Sequence, residues 1–460
     1  MVPGPSRLGR TRAGRASRLR GVSASALWWW PALLGVLAVT GCGAADGLRE
    51  RPEHVVLIVV DTLRRDHLSI YGSELETPNI ARLAARGVAI ENALASFHQT
   101  TLSMGALFSG RTPSLESGDP ERALARISPN WCGLARFRAE GAEEACVPER
   151  LFTLGELMRE QGYWSAAVVA NRLLFRPAGF DAGFDRWEEV GVADKASVLA
   201  NPGLSANQRT GAHVNTAVRE LLAERPDEPT FLYVHYMDVH DWNQRHMTYA
   251  ESVEAVDRAI GELWGVLEAH GLWGDALIVL ISDHGETLGE PHLLQSLPTH
   301  FGNPSFEPVL RVPLVVVGAE VEESDVPIRS EDVYHLLAEL VGNGGSEERD
   351  LEADELFLTE AWYRTYRTGR WKSYWRRADG DFRLVDLSAD PGETRDVAGA
   401  HPEVAAAHRQ RMNVLTRQLA APGAIVRDLT EWEREILSAL GYLENTEKTN
   451  RAAGPGGASN

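Results

Sequence analysis

Positive charge is in short supply in this chain of 460 residues. Lys and Arg together number 46 against 65 Asp and Glu, a formal net charge of −19. No basic stripe is available to neutralise phosphates, which excludes nucleic acid as a partner. Cysteine is scarce too: the three are Cys42, Cys132 and Cys146, too few for a thiolate-ligated metal site. Long hydrophobic runs are missing apart from ALWWWPALLGVLAV at residues 26–39, which falls short of the roughly 20 residues that a bilayer span requires. Apolar residues in general are not missing. At 44% hydrophobic content the chain can bury a full core, which excludes a disordered protein, and its length suits one large domain plus a smaller one.

The first 41 residues read as an address. They hold six arginines and no acid, so the remainder is more acidic still. The arginines precede the apolar run and then the small residues Thr40 and Gly41, ahead of Cys42. Val39-Thr40-Gly41-Cys42 resembles the lipobox of bacterial lipoproteins. That resemblance implies a signal peptide over 1–41, lipidation of Cys42, a tether over 42–53, and an exported protein anchored to a membrane and facing the periplasm or the cell exterior. An uncleaved anchor helix is the competing reading. In an exported protein Cys132 and Cys146, both within the Gly-, Pro- and charge-rich stretch 111–150, read as a disulfide stapling an insertion; two free buried thiols are the alternative.

Two stretches of like build organise the rest. HVVLIVV runs straight into Asp61, and ALIVLIS into Asp283-His284. Unbroken apolar, β-branched runs read as buried parallel strands, and open α/β sheets keep their ligands at the carboxyl ends of such strands. Potential metal ligands delivered this way from distant parts of the chain predict one composite site; helix N-caps after strands are the plain alternative. Helical patterns at 77–87 (Thr77 as N-cap, Pro78 first in the helix), 151–162, around Val218 and Leu222, and at 251–270 alternate with the strand patterns YWSAAVVA, TFLYVHYMDVH and VPLVVVG. The prediction is α/β, a central, mostly parallel sheet flanked by helices on both faces. After residue 345 the character changes: RWKSYWRRADGDFRLVDL carries a hairpin signal at Asp379-Gly380, and a helix follows over 403–419. The expected domains are a catalytic one over 54–345 with 111–150 inserted, a small antiparallel α+β subdomain over 346–445, and a polar, Gly-rich disordered tail over 446–460.

These segments resemble the sulfatase family of the alkaline phosphatase superfamily, over roughly residues 54–445. VVLIVVDTLRRDHLSIYG with ETPNIARLAARGVAIENA resembles the family's opening, TLSMGALFSGRTP its nucleophile helix, and LIVLISDHGETLGE with FEPVLRVPLVVVG its second metal-binding half. TGRWKSYW, LVDLSADPGET and ILSALGYLE resemble its C-terminal subdomain. The implied fold is the alkaline phosphatase-like sandwich, and the implied activity is hydrolysis of sulfate or phosphate esters. One more absence matters here. Where the family has Cys-x-Pro-x-Arg, this chain has Thr100-Thr101-Leu102-Ser103-Met104, with no cysteine to become formylglycine. Counted back from Gly110-Arg111, the nucleophile position falls on Thr100, which resembles the superfamily's phosphodiesterases and phosphotransferases. A hydroxyl on a divalent cation at a helix N-terminus becomes a usable nucleophile. A helix cap is the plain alternative for Thr100.

The resemblance implies a metal shell of Asp61, Thr100, Asp283 and His284. Compared with the family's calcium sites it has one carboxylate fewer and one imidazole more, a change towards manganese, zinc or iron. One divalent ion (Mn, Zn or Ca) is expected; a second, on Asp238, His240 and His300, is the variant. His240 and His300 are the expected acid–base residues, with satisfied structural imidazoles as the plain alternative. Asn171 and Asp238 are the expected substrate-binding residues, Asn171 standing where sulfatases have Gly-Lys-Trp-His. The expected reaction is in-line attack by the metal-held Thr100 oxygen on a small or polymeric anionic ester, protonation of the leaving oxygen by His240 or His300, and hydrolysis of the covalent ester by water. The competing functions are a phosphotransferase, or a catalytically inactive sulfatase-fold lipoprotein acting as a binding protein, which the missing Arg and Lys-x-His residues prompt.

Overall fold

In the computed structural model the described residues are 51–113, 152–191, 206–294, 300, 305–321, 325–343, 351–359 and 363–418. Cys42, Cys132, Cys146, most of 111–150 and all of 446–460 lie outside them. The strands are β1 (His54–Val60), β2 (Gly87–Ala89), β3 (Ala93–Leu94), β4 (Trp164–Val169), β5 (Arg186–Glu189), β6 (Thr230–Tyr236), β7 (Leu277–Ile281), β8 (Leu314–Val317), β9 (Ile328–Arg329), β10 (Glu355–Thr359), β11 (Tyr363–Thr368), β12 (Trp371–Arg376) and β13 (Phe382–Asp386). The helices are α1 (Pro78–Ala84), α2 (Thr100–Ser109), α3 (Leu154–Glu160), α4 (Gly211–Ala223), α5 (Tyr249–Ala269), α6 (Glu307–Leu310), α7 (Ser330–Leu340) and α8 (Pro402–Gln418). Among the described residues no helix is long and apolar enough to cross a membrane.

The larger sheet runs β2-β8-β7-β1-β6-β4-β5. Its middle is parallel: β1 pairs with β6 and β7, and β4 with β6 and β5. Val55 to Val60 of β1 are fully buried, and at roughly 1.5–3 kcal/mol per buried Val, Leu or Ile this strand is a large share of the driving force. Alternation divides its side chains between two cores. Val55, Leu57 and Val59 pack with Met104, Leu107 and Phe108 of α2, Leu157 of α3 and Leu337 of α7. Val56, Ile58 and Val60 pack with Ile80 of α1, Val218 of α4 and Ile260 of α5. The helices therefore cover both faces, as the alternating pattern predicts.

Two local expectations change. VPLVVVG supplies a strand, but β8 lies antiparallel to β7 and β2. The Gly285 amide bonds the Val309 carbonyl at 2.7 Å, so the chain is still at the carboxyl end of β7 when it turns back into the sheet, and β8 has to run in reverse. The first helix ends at Ala84 rather than Gly87, because Gly87 opens β2. A Cβ there would sit 2.0 Å from the Val316 carbonyl oxygen of β8, so glycine permits the close approach. Helix starts follow their caps: Thr153 with Glu156 and Thr248 with Glu251 form capping boxes ahead of α3 and α5.

β10 to β13 form a four-stranded antiparallel meander, with α8 packing Ala405, Met412 and Leu415 onto it. Lys372 of β12 is fully buried and pairs with Glu307 of α6 at 3.0 Å and with Glu393 at 3.2 Å. A charge that deep is tolerable only when it is paired on both sides, so this contact fixes how the smaller sheet meets α6.

Candidate active site

Four neighbouring strands, β7, β1, β6 and β4, bring their carboxyl ends together. Val59 stands opposite both His235 and Ile281 in the ladders, so Asp61 and Asp283, each two residues further on, come level. Because Val59 and Tyr233 face the α2 side, alternation sends Asp61 and His235 to that side as well. Both are fully buried.

Three of the expected ligands assemble. Asp61, Asp283 and His284 offer one ligand atom each within 4.8 Å of one another. Thr62 holds a left-handed φ of 58°, which a β-branched residue adopts only under constraint. In that conformation its amide donates to Asp283 Oδ1 at 3.1 Å and its carbonyl accepts from Tyr249 at 2.6 Å. The strain thus ties the end of β1 to the end of β7. His284 Nδ1 lies 2.8 Å from the Gly285 carbonyl oxygen; a carbonyl accepts, so Nδ1 carries the proton and Nε2 presents its lone pair to the site.

Thr100 is the fourth. Gln99 occupies the N-cap of α2 without a side-chain cap bond, and Thr100 is the first helical residue, so the capping alternative fails. The Thr100 hydroxyl lies 3.4 Å from both Asp61 Oδ2 and His284 Nε2. The neighbouring hydroxyl of Ser103 donates instead to the Asp283 carbonyl at 2.5 Å.

A divalent cation fits this donor set. Asp61 Oδ1 and Asp283 Oδ2 are buried without a hydrogen-bond partner, a costly state for two carboxylates unless something positive meets them. Burial, then the charge of Asp61, pushes Asp283 up to about 7. Burial also acts against ionised Asp61, but the bond from His235 and the charges of His240, His235 and His284 outweigh it and hold Asp61 below the usual carboxylate range. One anion of the pair is thus favoured and the other penalised, and an ion removes the penalty. Two carboxylates, one imidazole and a hydroxyl suit manganese or zinc as well as calcium.

Asn171 is at the centre of the group. Its Nδ2 donates to Asp61 Oδ2 at 2.6 Å and lies 3.5 Å from the Thr100 hydroxyl, while its Oδ1 accepts from the Leu173 amide. It orients the ligand and the hydroxyl. His240 and His300 flank the group: the His300 ring centroid lies 4.6 Å from that of His284 and 5.9 Å from that of His240. Glu286 bonds His300 Nδ1 at 3.0 Å. Burial pushes His284 and His300 down. Asp238 does not join them. Its carboxylate accepts from Arg245 at 2.9 Å and lies by Gly211 at the start of α4. The set Asp238, His240 and His300 is therefore not assembled as a second ion site, because β6 ends at Tyr236 and the turn after it sends alternate side chains apart.

Other residues of the site have no role assigned from the sequence, although His235 and Asp241 stand in the cluster with Asp238 and His240 at the end of TFLYVHY, a group that could complete the site. His235 donates Nε2–H to Asp61 Oδ2 at 3.1 Å and accepts at Nδ1 from the Tyr233 hydroxyl at 2.6 Å; strand alternation from Tyr233 points to it. His98 donates Nδ1–H to the His300 carbonyl at 3.3 Å and is pushed down to about 3 by burial, then by His300 and His284. Glu286 stood in the DHGE run. Arg209, clamped on Asp241, came from a stretch with the look of a plain loop.

Comparison with known proteins gives the family. A family model described as Sulfatase matches residues 53–343. An N-acetylgalactosamine-6-O-sulfatase of Bacteroides thetaiotaomicron is 22% identical over 81% of this chain and 96% of its own length. The phosphonate monoester hydrolase of Agrobacterium radiobacter superposes with a TM-score of 0.57 at 17% identity, over 80% of this chain and 96% of that one. A structure of BT4656 in complex with its substrate D-glucosamine-2-N,6-O-disulfate gives a TM-score of 0.55 at 15% identity, over 80% and 98%. At these identities the two superpositions speak for the fold.

Proposed function

As a member of the sulfatase family, within the alkaline phosphatase superfamily, this chain is a hydrolase of sulfuric esters, and we propose that it works by covalent catalysis through the Thr100 oxygen on a sulfated sugar, small or polymeric. The observation that carries this is the position of the Thr100 hydroxyl, 3.4 Å from Asp61 and from His284 at the first residue of α2. Asp61, Asp283 and His284 would hold a divalent ion, whose positive charge would lower the hydroxyl's pKa and attract the anionic ester. The Thr100 proton leaves to solvent. The free N–H groups of the first turn of α2 favour the negative oxygen that remains. Asn171 and His235 keep Asp61 in place throughout.

The chemistry then follows from the residues around Thr100. Its oxygen attacks sulfur in line with the leaving alcohol, the S–O bond to that alcohol breaks, and His240 or His300 delivers a proton to the departing oxygen. The same histidine, now neutral, takes a proton from the water that cleaves the Thr100 ester. Phosphoryl transfer is the second reading, and Thr100 itself favours it: a threonine ester forms on phosphorus without the formylglycine chemistry typical of sulfatases. The test is turnover of aryl sulfate, a 6-O-sulfated N-acetylhexosamine, phosphate monoester, phosphodiester and phosphonate with calcium, manganese and zinc in turn. Fastest turnover on the sulfate esters supports the first reading and fastest turnover on phosphoryl compounds the second. No turnover on any of them, with metal bound, would leave the binding-protein alternative. We also propose that Cys42 anchors the protein to a membrane after export, on the strength of residues 26–42 alone; Cys42→Ser should end incorporation of labelled fatty acid, and undiminished incorporation would refute it.

A further inference from the structure

His240 has a support that the proposed reaction does not yet use. Asp241 accepts from Arg209 Nε and Nη2 at 2.6 Å each, a two-pronged contact, and its Oδ1 lies 3.2 Å from His240 Nδ1. Arg209 is 2% exposed and Asp241 fully buried. Burying such a pair is costly, and bidentate geometry leaves the carboxylate little freedom to turn. The pair lies beside the site, since the His240 ring is 5.9 Å from that of His300, and it has no contact with Asp61, Asp283 or His284 among the hydrogen bonds described above.

Resting on the covalent reading above, we infer that Arg209 and Asp241 are positioning residues that fix His240 as the proton donor to the leaving oxygen, leaving His300 to other work. The orientation follows from the bond itself: a carboxylate accepts, so His240 Nδ1 carries a proton and Nε2 is the nitrogen left to serve the reaction. Several charged and titratable groups act on His240: Asp241 and Arg209 beside it, Asp61, and Glu286, His284 and His300 from the residues that follow β7. Burial alone would lower it, but the bond to Asp241 and the charges of Asp61 and Asp241 outweigh burial and the opposing Arg209, and hold it above its ordinary value. His98, His284 and His300 are all pushed the other way. In the first step the Nε2–H bond breaks as the new O–H bond of the alcohol forms, and the neutral imidazole that results accepts the water proton in the second. No oxidant or further reactant is needed.

A general acid matters in proportion to how poor the leaving group is, which gives a readout that a merely structural residue does not move. Two sulfate esters would be compared on the metal-loaded full chain, a nitrophenyl ester and an alkyl ester. Asp241→Asn should lower the single-turnover rate of alcohol release, which reads the first step alone, about 100-fold or more on the alkyl ester and less than about 10-fold on the nitrophenyl ester. His240→Gln should show the same selective loss, and the double variant should lose no more than His240→Gln alone, because the two act as one unit. Arg209→Lys keeps the charge but not the two-pronged contact, and should give a smaller selective loss; it carries the test if Asp241→Asn does not fold. Equal losses on the two esters in a folded variant, or losses that multiply in the double variant, would overturn the inference. Failure of the covalent reading would show separately, as nitrophenyl turnover that survives Thr100→Ala.

Discussion

Replacing Thr100 by Ala removes one oxygen whose protein contacts are all long, 3.4 Å to Asp61, 3.4 Å to His284 and 3.5 Å to Asn171. Contacts at that length contribute little to stability, and alanine suits a helix at least as well as threonine, so the fold should lose less than about 1 kcal/mol. If the same oxygen is the nucleophile, the rate should fall about 1,000-fold or more, equivalent to about 4 kcal/mol of transition-state stabilisation. The two neighbouring hydroxyls are the controls. Thr101 makes no side-chain hydrogen bond described above, so Thr101→Ala should keep most of the activity. Ser103 donates to the Asp283 carbonyl at 2.5 Å, so Ser103→Ala should cost about 1 kcal/mol of stability, with a smaller loss of rate. Initial rates, thermal melts, and mass spectra of acid-quenched turnover mixtures would separate these effects, the last by a sulfuryl or phosphoryl increment on the peptide that contains residue 100. Activity that survives Thr100→Ala and vanishes in Thr101→Ala would place the nucleophile one residue on. Activity in both would remove the covalent mechanism and leave a metal-activated water as the attacking group.

Asp283→Ala should lose bound metal and activity together; full metal occupancy in the purified variant would refute the ligand assignment. Its melting temperature should also stop responding to added manganese or zinc, whereas an ion at 100 times its Kd stabilises the native chain by about 2.7 kcal/mol. His408, packed under Tyr366 and bonded to Ser373, is pushed down by burial from 6.5 to about 4. The unfolded chain therefore binds a proton there that the folded chain refuses. The stability this residue contributes is complete above about pH 6.5 and is lost as the pH falls towards 4, on the order of 2 kcal/mol by pH 4.5. Denaturant melts of His408→Gln should show a shallower acid loss, and an unchanged slope would count against the assignment. Cys132 and Cys146, outside the described residues, are expected to pair and so to contribute on the order of 3 kcal/mol to local order; two thiols titrating in the unreduced, denatured protein would exclude the bond.

What the sequence determined by itself is the frame. The runs ending in Asp61 and in Asp283-His284 can bury that many β-branched residues only as central strands, and the carboxyl end of such a strand is where a ligand has to be. The offset to Gly110-Arg111 placed Thr100 at the start of α2, and Thr77 with Pro78 marked the start of α1 from local chemistry alone. Tertiary structure decided the rest, because it depends on which side chains meet across elements far apart in the chain. Nothing local to VPLVVVG says that β8 runs in reverse; the bond from Gly285 to Val309 does. Nothing in Asp238 tells it from Asp241, yet the end of β6 turns one towards Arg245 and the other towards His240. Asn171 and His235 are polar residues at strand ends like many others until the parallel register sets both on the same oxygen of Asp61. Arg209 could not be found at all from its own stretch, since its meaning lies in a carboxylate 32 residues away.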